Sequence, residues 1–324
     1  MTATSPPVNR GRAVLLRVDL VARYALAIIM VVALAVVSWN SFSLHRVLYI
    51  LGQASPLGVS AIGQTFVLLS GGIDLSLGPT INLTNVIVPV VMNGQDGNIV
   101  PALLISGAAA LLVGIVNGVL VAFLRVPALL ATLAVGTIVQ GAYFIYTRGQ
   151  PSGNASQGFL KLANGWVGGN IVPWDFLLWA GVWAGAAILL YRTIFGRNFY
   201  AVGANPRAAW LSGVRSSWYV ASAYVISALC AWVAGLILTS YVGIASIGIG
   251  DSDTLNSIAA AVIGGTAFTG GIGTLGGTAA GVLVITFLST ILSVLNVPAA
   301  SQYIAQGLVI AGMMLLNTRF MRRH

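Results

Sequence analysis

The chain has 324 residues, of which 58% are hydrophobic and only 6% charged, against about 45–50% and about 25% in an ordinary soluble domain. A soluble core stops growing at about 250–300 residues, so this chain would leave wide apolar areas facing water, and a bilayer is the solvent that fits. The net charge of +9 is divided among segments between apolar runs and does not form one face, which excludes a nucleic-acid surface and leaves membrane orientation as its use.

Residues 1–23 hold Arg10, Arg12, Arg17 and Arg23 ahead of a long apolar run, without a small-residue cleavage site after a short apolar core. The first span is therefore expected to be retained. In chain order, apolar runs at 24–42, 47–70, 75–93, 100–124, 127–147, 173–191, 217–240, 255–270, 274–296 and 300–318 predict an all-α membrane protein of about ten transmembrane helices. Glycine and proline crowd the second, third, eighth and ninth runs, which are expected to be short, tilted or broken.

An N-terminus inside the cell makes Arg10, Arg12, Arg17, Arg23, Arg125, Arg192, Arg197, Arg207, Arg215, Arg319, Arg322 and Arg323 cytoplasmic and leaves Arg46, Arg148 and Lys161 outside. That asymmetry follows the positive-inside rule, and one span more or fewer would scramble it for every later loop. Both termini are then cytoplasmic. The chain divides into a cytoplasmic N-terminal segment (1–23), a transmembrane domain (24–318) and a cytoplasmic tail (319–324). Trp39, Trp166, Trp174 and Trp179 fall near the outer interface, and Trp210 and Trp218 near the inner one.

Two loops are long. Residues 148–172, outside, are rich in Gly, Asn and Ser and either meet a soluble partner or link two halves; residues 192–216, inside, are basic and partly helical. Within the inner loop Asn205 is a good N-cap, Pro206 suits the first helical position, and Gly213 suits the position just past the end. This predicts a two-turn helix outside the membrane, with small Ala208 and Ala209 for close docking and Trp210 and Leu211 as an apolar anchor. It serves either a partner's groove or the membrane surface. A further echo links Ser70-Gly71-Gly72-Ile73 to Thr269-Gly270-Gly271-Ile272. Each follows an inward span and precedes an outward one, and either a structural repeat or glycine bias accounts for it.

Catalytic groups are scarce. The chain has two histidines, His45 and His324, six aspartates and no glutamate, so no catalytic triad or histidine-rich metal site is expected. Cys230 is the only cysteine, which rules out an intrachain disulfide or thiolate cluster. The only lysine, Lys161, lies between Leu160 and Leu162, so there is no P-loop and any ATPase must be another polypeptide. The glycines from Gly264-Gly265-Thr266 to Gly276-Gly277-Thr278 lack that lysine and read as tight helix turning. Asp74, just before the third span, has three readings: a helix cap, a gating residue, or a proton or sodium site.

Three ordered segments carry a resemblance: Gly71-Gly72-Ile73-Asp74-Leu75-Ser76, Gly203-Ala204-Asn205 to Ser212-Gly213, and Ile258-Ala259-Ala260-Ala261-Val262-Ile263-Gly264-Gly265-Thr266. Together they are similar to the permeases of ribose-type ATP-binding cassette (ABC) sugar importers, over roughly residues 45–318. The resemblance implies a multi-pass protein of the bacterial inner membrane that is a permease subunit with no ATPase site or cofactor of its own. It implies a second permease copy or paralogue, cytosolic ATPase subunits that bind ATP and Mg, and a periplasmic sugar-binding protein. Residues Gly203, Asn205, Pro206, Arg207, Ala208, Ala209, Leu211, Ser212 and Gly213 would form the coupling region that takes the ATPase stroke. One departure is Thr254-Leu255-Asn256-Ser257, where similar permeases have a Glu-Leu-Asp-Ala-like acidic pair; Asp251 and Asp253 lie nearby but out of register.

A sugar is neutral and hydroxylated, so its path is expected to be lined by neutral hydrogen-bonding side chains. Gln64, Thr65, Asn82, Asn85, Asn117 and Gln140 are the candidates, with hydrogen bonding between helices as the alternative for each. The competing function is an ion-coupled secondary transporter or a facilitator.

Overall fold

The computed structural model of the chain describes residues 25, 28–36, 43–169, 171–298, 301–302, 304–305, 307–308 and 312. The segments expected at 1–23 and 319–324 lie outside these residues, as do parts of the first and last expected spans. Residues 28–36 are helical.

The second expected span is two helices, α1 (Leu44–Gln53) and α2 (Ser55–Leu69), joined at Ala54. Pro56 explains the break: it sits in the first turn of α2, where its missing N–H costs nothing, but it cannot continue α1. Every residue of α2 is buried, because the helices Ser216–Val242, Asp251–Ile263, Leu275–Val294 and Trp174–Arg192 pack around it. Small residues permit those approaches. A side chain on Gly58 would run into the Trp179 indole, and one on Gly63 would stand 2.8 Å from the Ser227 backbone. Trp179 is therefore a core residue, 6% exposed, and not the interfacial anchor that its position along the chain suggested.

α3 (Leu77–Met92) ends on Asn93 in the left-handed conformation. α4 (Ile99–Gly118) continues through a π turn at Val119–Phe123, and α5 (Ala128–Thr147) follows. The outer loop contains a short helix, α6 (Gln157–Asn164), and a two-residue hairpin of β1 (Trp166–Val167) and β2 (Val172–Pro173), antiparallel with Trp166 opposite Pro173. Ser240, near the end of the helix Ser216–Val242, fixes α6 by accepting from Ala163 N at 3.0 Å and donating to Phe159 O at 2.9 Å. α7 (Trp174–Arg192) leads into α8 (Ile194–Ala204) and α9 (Pro206–Leu211), and then α10 (Ser216–Val242), the longest helix described.

α11 runs Asp251–Ile263 and α12 Leu275–Val294. The eighth expected span, 255–270, is thus shifted and shortened. Asp251 and Asp253 occupy the first turn of α11, where carboxylates complement the helix dipole, and glycines Gly264 and Gly265, the latter at φ +86°, end it. At 13 residues α11 is about 20 Å long, well short of the ~30 Å apolar thickness of a bilayer. The glycines from 264 to 277 do turn the chain tightly: Gly277 and Gly281 leave no room for a side chain against the backbone of Gly264 and Ala260.

Among the described residues, five helical stretches are long and apolar enough to cross a membrane, namely Asp96–Phe123, Ala128–Thr147, Trp174–Arg192, Ser216–Val242 and Leu275–Val294; α2 and α3 are shorter apolar helices. The second, third and eighth runs, expected to be short, tilted or broken, correspond to the short helices α1, α2, α3 and α11. The ninth, expected to be so as well, is instead the unbroken 20-residue helix α12, because its glycines Gly277 and Gly281 lie near its start and face α11.

Candidate functional site

The helix expected in the inner loop is present as α9. Asn205, in extended conformation, accepts from Arg207 N at 3.1 Å and Ala208 N at 3.0 Å, and Pro206 takes the first helical position. At the other end Gly213 has φ +84°; its N–H donates to Trp210 O at 2.9 Å and Val214 N to Ala209 O at 3.0 Å, the pairing that closes a helix on a left-handed glycine. Ser212 Oγ adds a bond to Ala208 O. Ala209 is buried, whereas Trp210 is 65% and Leu211 73% exposed. The fold thus holds α9 by Ala209, leaves Ala208 exposed and turns the two large apolar side chains outward.

One residue, Asn205, separates α9 from α8, and its N–H still bonds back to Ala201 O at 3.1 Å. The end of α8 is packed backbone to backbone. A side chain at Gly203 would run into Leu69 O and stand 2.6 Å from Gly271 N; one at Gly271 would stand 2.6 Å from Ala204 N. Gly271 N in turn donates to Leu69 O at 2.9 Å. The two glycine loops that echo each other in sequence, 70–73 and 269–272, therefore meet in space, with the end of α8 against both.

Asp74 is 1% exposed. Its Oδ1 accepts from Ser76 N at 2.9 Å and Ser76 Oγ at 2.6 Å, and its Oδ2 from Ser227 Oγ of α10 at 2.7 Å. Three donors converge on this carboxylate, and none of them is a cation. Ser76, not Asp74, is the N-cap of α3, and no side-chain bond caps that helix; the carboxylate bonds Ser76 within the α2–α3 loop and ties that loop to Ser227 of α10. Thr132 of α5 grips the same loop, donating to Ile73 O at 3.2 Å and accepting from Leu75 N at 3.1 Å.

Five of the six candidate path residues have neighbours in other elements as partners. With its amide oriented to satisfy both groups, Gln64 donates to Asp74 O and accepts from Asp74 N, each at 3.3 Å. The Thr65 and Thr278 hydroxyls are 2.8 Å apart. Asn117 Nδ2 donates to Ser76 Oγ at 2.7 Å, joining Gln64, Asp74 and Ser227 in one network. Asn82 donates to Asp251 Oδ1 at 2.7 Å and accepts from Gly250 N at 2.8 Å. Asn85 donates to Thr239 Oγ1 at 3.0 Å and accepts from Ser246 N at 2.7 Å. All five are at most 1% exposed, so in this conformation none lines an accessible cavity; hydrogen bonds to neighbouring elements hold each of them, and Asn117 Oδ1 alone among them is buried with no partner. Gln140 is different: it lies on the exposed face of α5.

The two asparagines of α3 position the stretch that precedes α11. They hold the non-helical stretch 244–250 along α3, down to Asn82, which lies about 16 Å along the helix from its C-cap Asn93. Thr254, which stands where a carboxylate was expected, accepts from Gly78 N at 3.0 Å. Asp251 pairs with Asn82 and is exposed, as is Ser252. Asp253 does not take up a matching contact: its Oδ2 is buried with no hydrogen-bond partner.

Sequence reasoning missed Ser76, Ser227, Thr239 and Thr278 as members of these networks. Ser227 had one available signal, its place in the small-residue series Ala223, Ser227, Ala231, Ala234 on α10, all buried and spaced for one helix face. No group of three or more His, Cys, Asp or Glu among the described residues is arranged to hold a metal ion.

Comparison with known proteins supplies a context for this geometry. The family described as branched-chain amino acid transport system / permease component matches residues 46–317. The ribose import permease protein of Haemophilus influenzae is 36% identical over 290 residues, spanning 87% of this chain and 88% of its own length. That of Bacillus subtilis is 34% identical over 296 residues, 90% of each chain. The autoinducer 2 import system permease protein of Salmonella choleraesuis is 33% identical over 282 residues, 86% of this chain and 79% of its own. No solved structure matches the chain.

Proposed function

Because the chain belongs to the family of branched-chain amino acid transport system permease components, we propose that it is the membrane-spanning subunit of an ABC importer for a sugar or related polyol. Two such permeases cross the inner membrane, each with ten spans and cytoplasmic termini. Cytosolic ATPase subunits bind ATP and Mg below, and a periplasmic sugar-binding protein delivers substrate above. The chain moves substrate by alternating access and hydrolyses nothing itself.

The observation that carries this reading is α9. A capped helix with Trp210 and Leu211 turned away from the rest of the chain offers an aromatic and an aliphatic anchor to a partner's groove. Its rigid connection to α8 gives the partner's motion a way into the membrane domain. Residues 203–213 are therefore the ATPase-coupling segment in this reading.

The translocation surface follows from burial. Polar side chains and non-helical backbone at membrane depth are tolerated where they face protein or a watery cavity. Exposed Gln140 on α5 and exposed Asp251 and Ser252 at the start of α11 line the space shared with the second permease. The buried set Gln64, Thr65, Asn82, Asn85 and Asn117 shapes that surface from behind and reaches substrate only when the helices part.

The test is isolation of the complex from its native membrane and identification of the associated polypeptides. An ABC ATPase that co-purifies and raises its turnover with loaded sugar-binding protein supports the reading. A chain that purifies alone and carries sugar on an ion gradient overturns it in favour of a secondary transporter.

A further inference from the structure

The end of α8 touches two loops that belong to two different helical hairpins. One loop, 70–74, joins α2 to α3; the other, 264–274, joins α11 to α12. Gly203 lies against Leu69 O on the first side and Gly271 N on the second, and Gly270, at φ +83°, lies so close that a side chain there would stand 2.7 Å from Gly203 O and 3.0 Å from Gly71 N. The Gly271 N to Leu69 O hydrogen bond joins the loops directly. Side chains reinforce the contact. Tyr200 of α8 donates to Gly273 O at 2.8 Å, and Leu275 N donates to the Tyr191 hydroxyl at 2.8 Å. Phe199, 1% exposed, meets Phe66 of α2 edge to face with ring centres 5.4 Å apart.

Each hairpin is stiff on its own account. α11 and α12 approach through Gly264, Gly277 and Gly281 without room for a methyl group, and the α2–α3 loop is held by the Asp74 bonds to Ser76 and Ser227 and by Thr132. Backbone contact has no rotamers to absorb a displacement, and close-packed interiors transmit strain. Because Asn205 alone separates α8 from α9, no slack lies upstream either.

We propose that Leu69, Gly203, Gly270 and Gly271 form a single backbone joint through which displacement of α9 reaches α2 and α11 together, with Tyr200 as its positioning residue. The two short helices then shift as one unit, and the cavity switches without either hairpin lagging. The proposal rests on the reading of residues 203–213 as the ATPase-coupling segment.

The experiment uses the full permease reconstituted in liposomes with its co-purified ATPase and binding protein, reading sugar taken up per ATP hydrolysed. Gly271→Ala puts a methyl 2.6 Å from Ala204 N and opens the joint while leaving the outward face of α9 untouched. Its ATPase remains attached and hydrolyses ATP, and uptake per ATP falls about tenfold, the scale of a lost coupling free energy. Tyr200→Phe removes one hydroxyl, keeps the ring, and so folds even if the alanine variant does not. It lowers uptake per ATP severalfold with no change in the half-saturating concentration of loaded binding protein, a split that simple destabilisation does not produce. Wild-type uptake per ATP in Tyr200→Phe, with or without a folded Gly271→Ala, overturns the joint alone. Absence of any ATPase from the wild-type preparation overturns the coupling reading and the joint with it.

Discussion

The amide of Gly271 donates to the carbonyl of Leu69 at 2.9 Å, so two loops about 200 positions apart in sequence share one hydrogen bond, and Gly203 packs on both of its ends. A change at any of these residues is felt by three elements at once. Gly203→Val is expected to force α8 away from Leu69 O, with an overpacking cost of about 1–3 kcal/mol seen as a lower thermal midpoint in detergent. Insertion into the membrane persists, and sugar uptake per ATP falls more steeply than the stability loss explains.

Asp74 accepts three hydrogen bonds and has no cation among its partners. Asp74→Ala leaves Ser227 Oγ and Ser76 N buried without their acceptor, at about 1–3 kcal/mol for each unsatisfied group. Thermal unfolding reads the loss. Asp74→Asn, which retains one acceptor oxygen, is expected to lie between the wild type and the alanine variant. Uptake in both working variants is predicted to remain indifferent to an imposed proton or sodium gradient.

Asn205→Ala removes the cap of α9 while leaving Pro206 in place. The cost is about 0.5–2 kcal/mol, confined to a six-residue helix. Amide exchange at Arg207 and Ala208, whose N–H groups the Asn205 side chain accepts, is expected to accelerate, with exchange in α10 unchanged.

Trp210→Ala and Leu211→Ser act on exposed side chains. Stability of the isolated permease should move by no more than about 0.5 kcal/mol. Retention of the ATPase during purification is expected to fall in both, which separates a docking surface from a membrane-surface connector. A connector variant keeps its ATPase and loses affinity for lipid.

Asn82→Ala takes partners from Asp251 and from Gly250 N together. The non-helical stretch 244–250 is then held by Asn85 alone among the α3 asparagines, and the expected loss is about 1–3 kcal/mol. Combining it with Asp251→Asn in a double-mutant cycle should recover part of that loss, because the two side chains are direct partners.

How much was legible in the sequence varied with the range of the interaction. α9 was readable because its start and stop obey local rules: Asn205, Pro206 and Gly213 each act within four residues of the helix. α11 was misplaced because a search for apolar runs treats Asp251 and Asp253 as loop, whereas its start is set by the helix dipole and by Asn82, nearly 170 positions away. Gln64, Thr65, Asn82, Asn85 and Asn117 stood in the sequence as candidates for the sugar's path, with hydrogen bonding between helices as the alternative, and in the structure all five are buried. Their partners, Ser76, Thr278, Asp251 and Thr239 among them, lie in other elements, so sequence alone did not separate a cavity wall from a helix contact. The glycine echo was visible as two similar loops, and their contact with Gly203 was not, because backbone packing leaves no compositional trace.

The measurement that bears most directly on the account is sugar uptake into proteoliposomes holding the purified chain alone or the chain with its ATPase and loaded binding protein. The chain alone is expected to take up nothing under any imposed ion gradient, and the complex to begin uptake with ATP and stop when ATP is exhausted. Concentrative uptake by the chain alone would contradict that expectation.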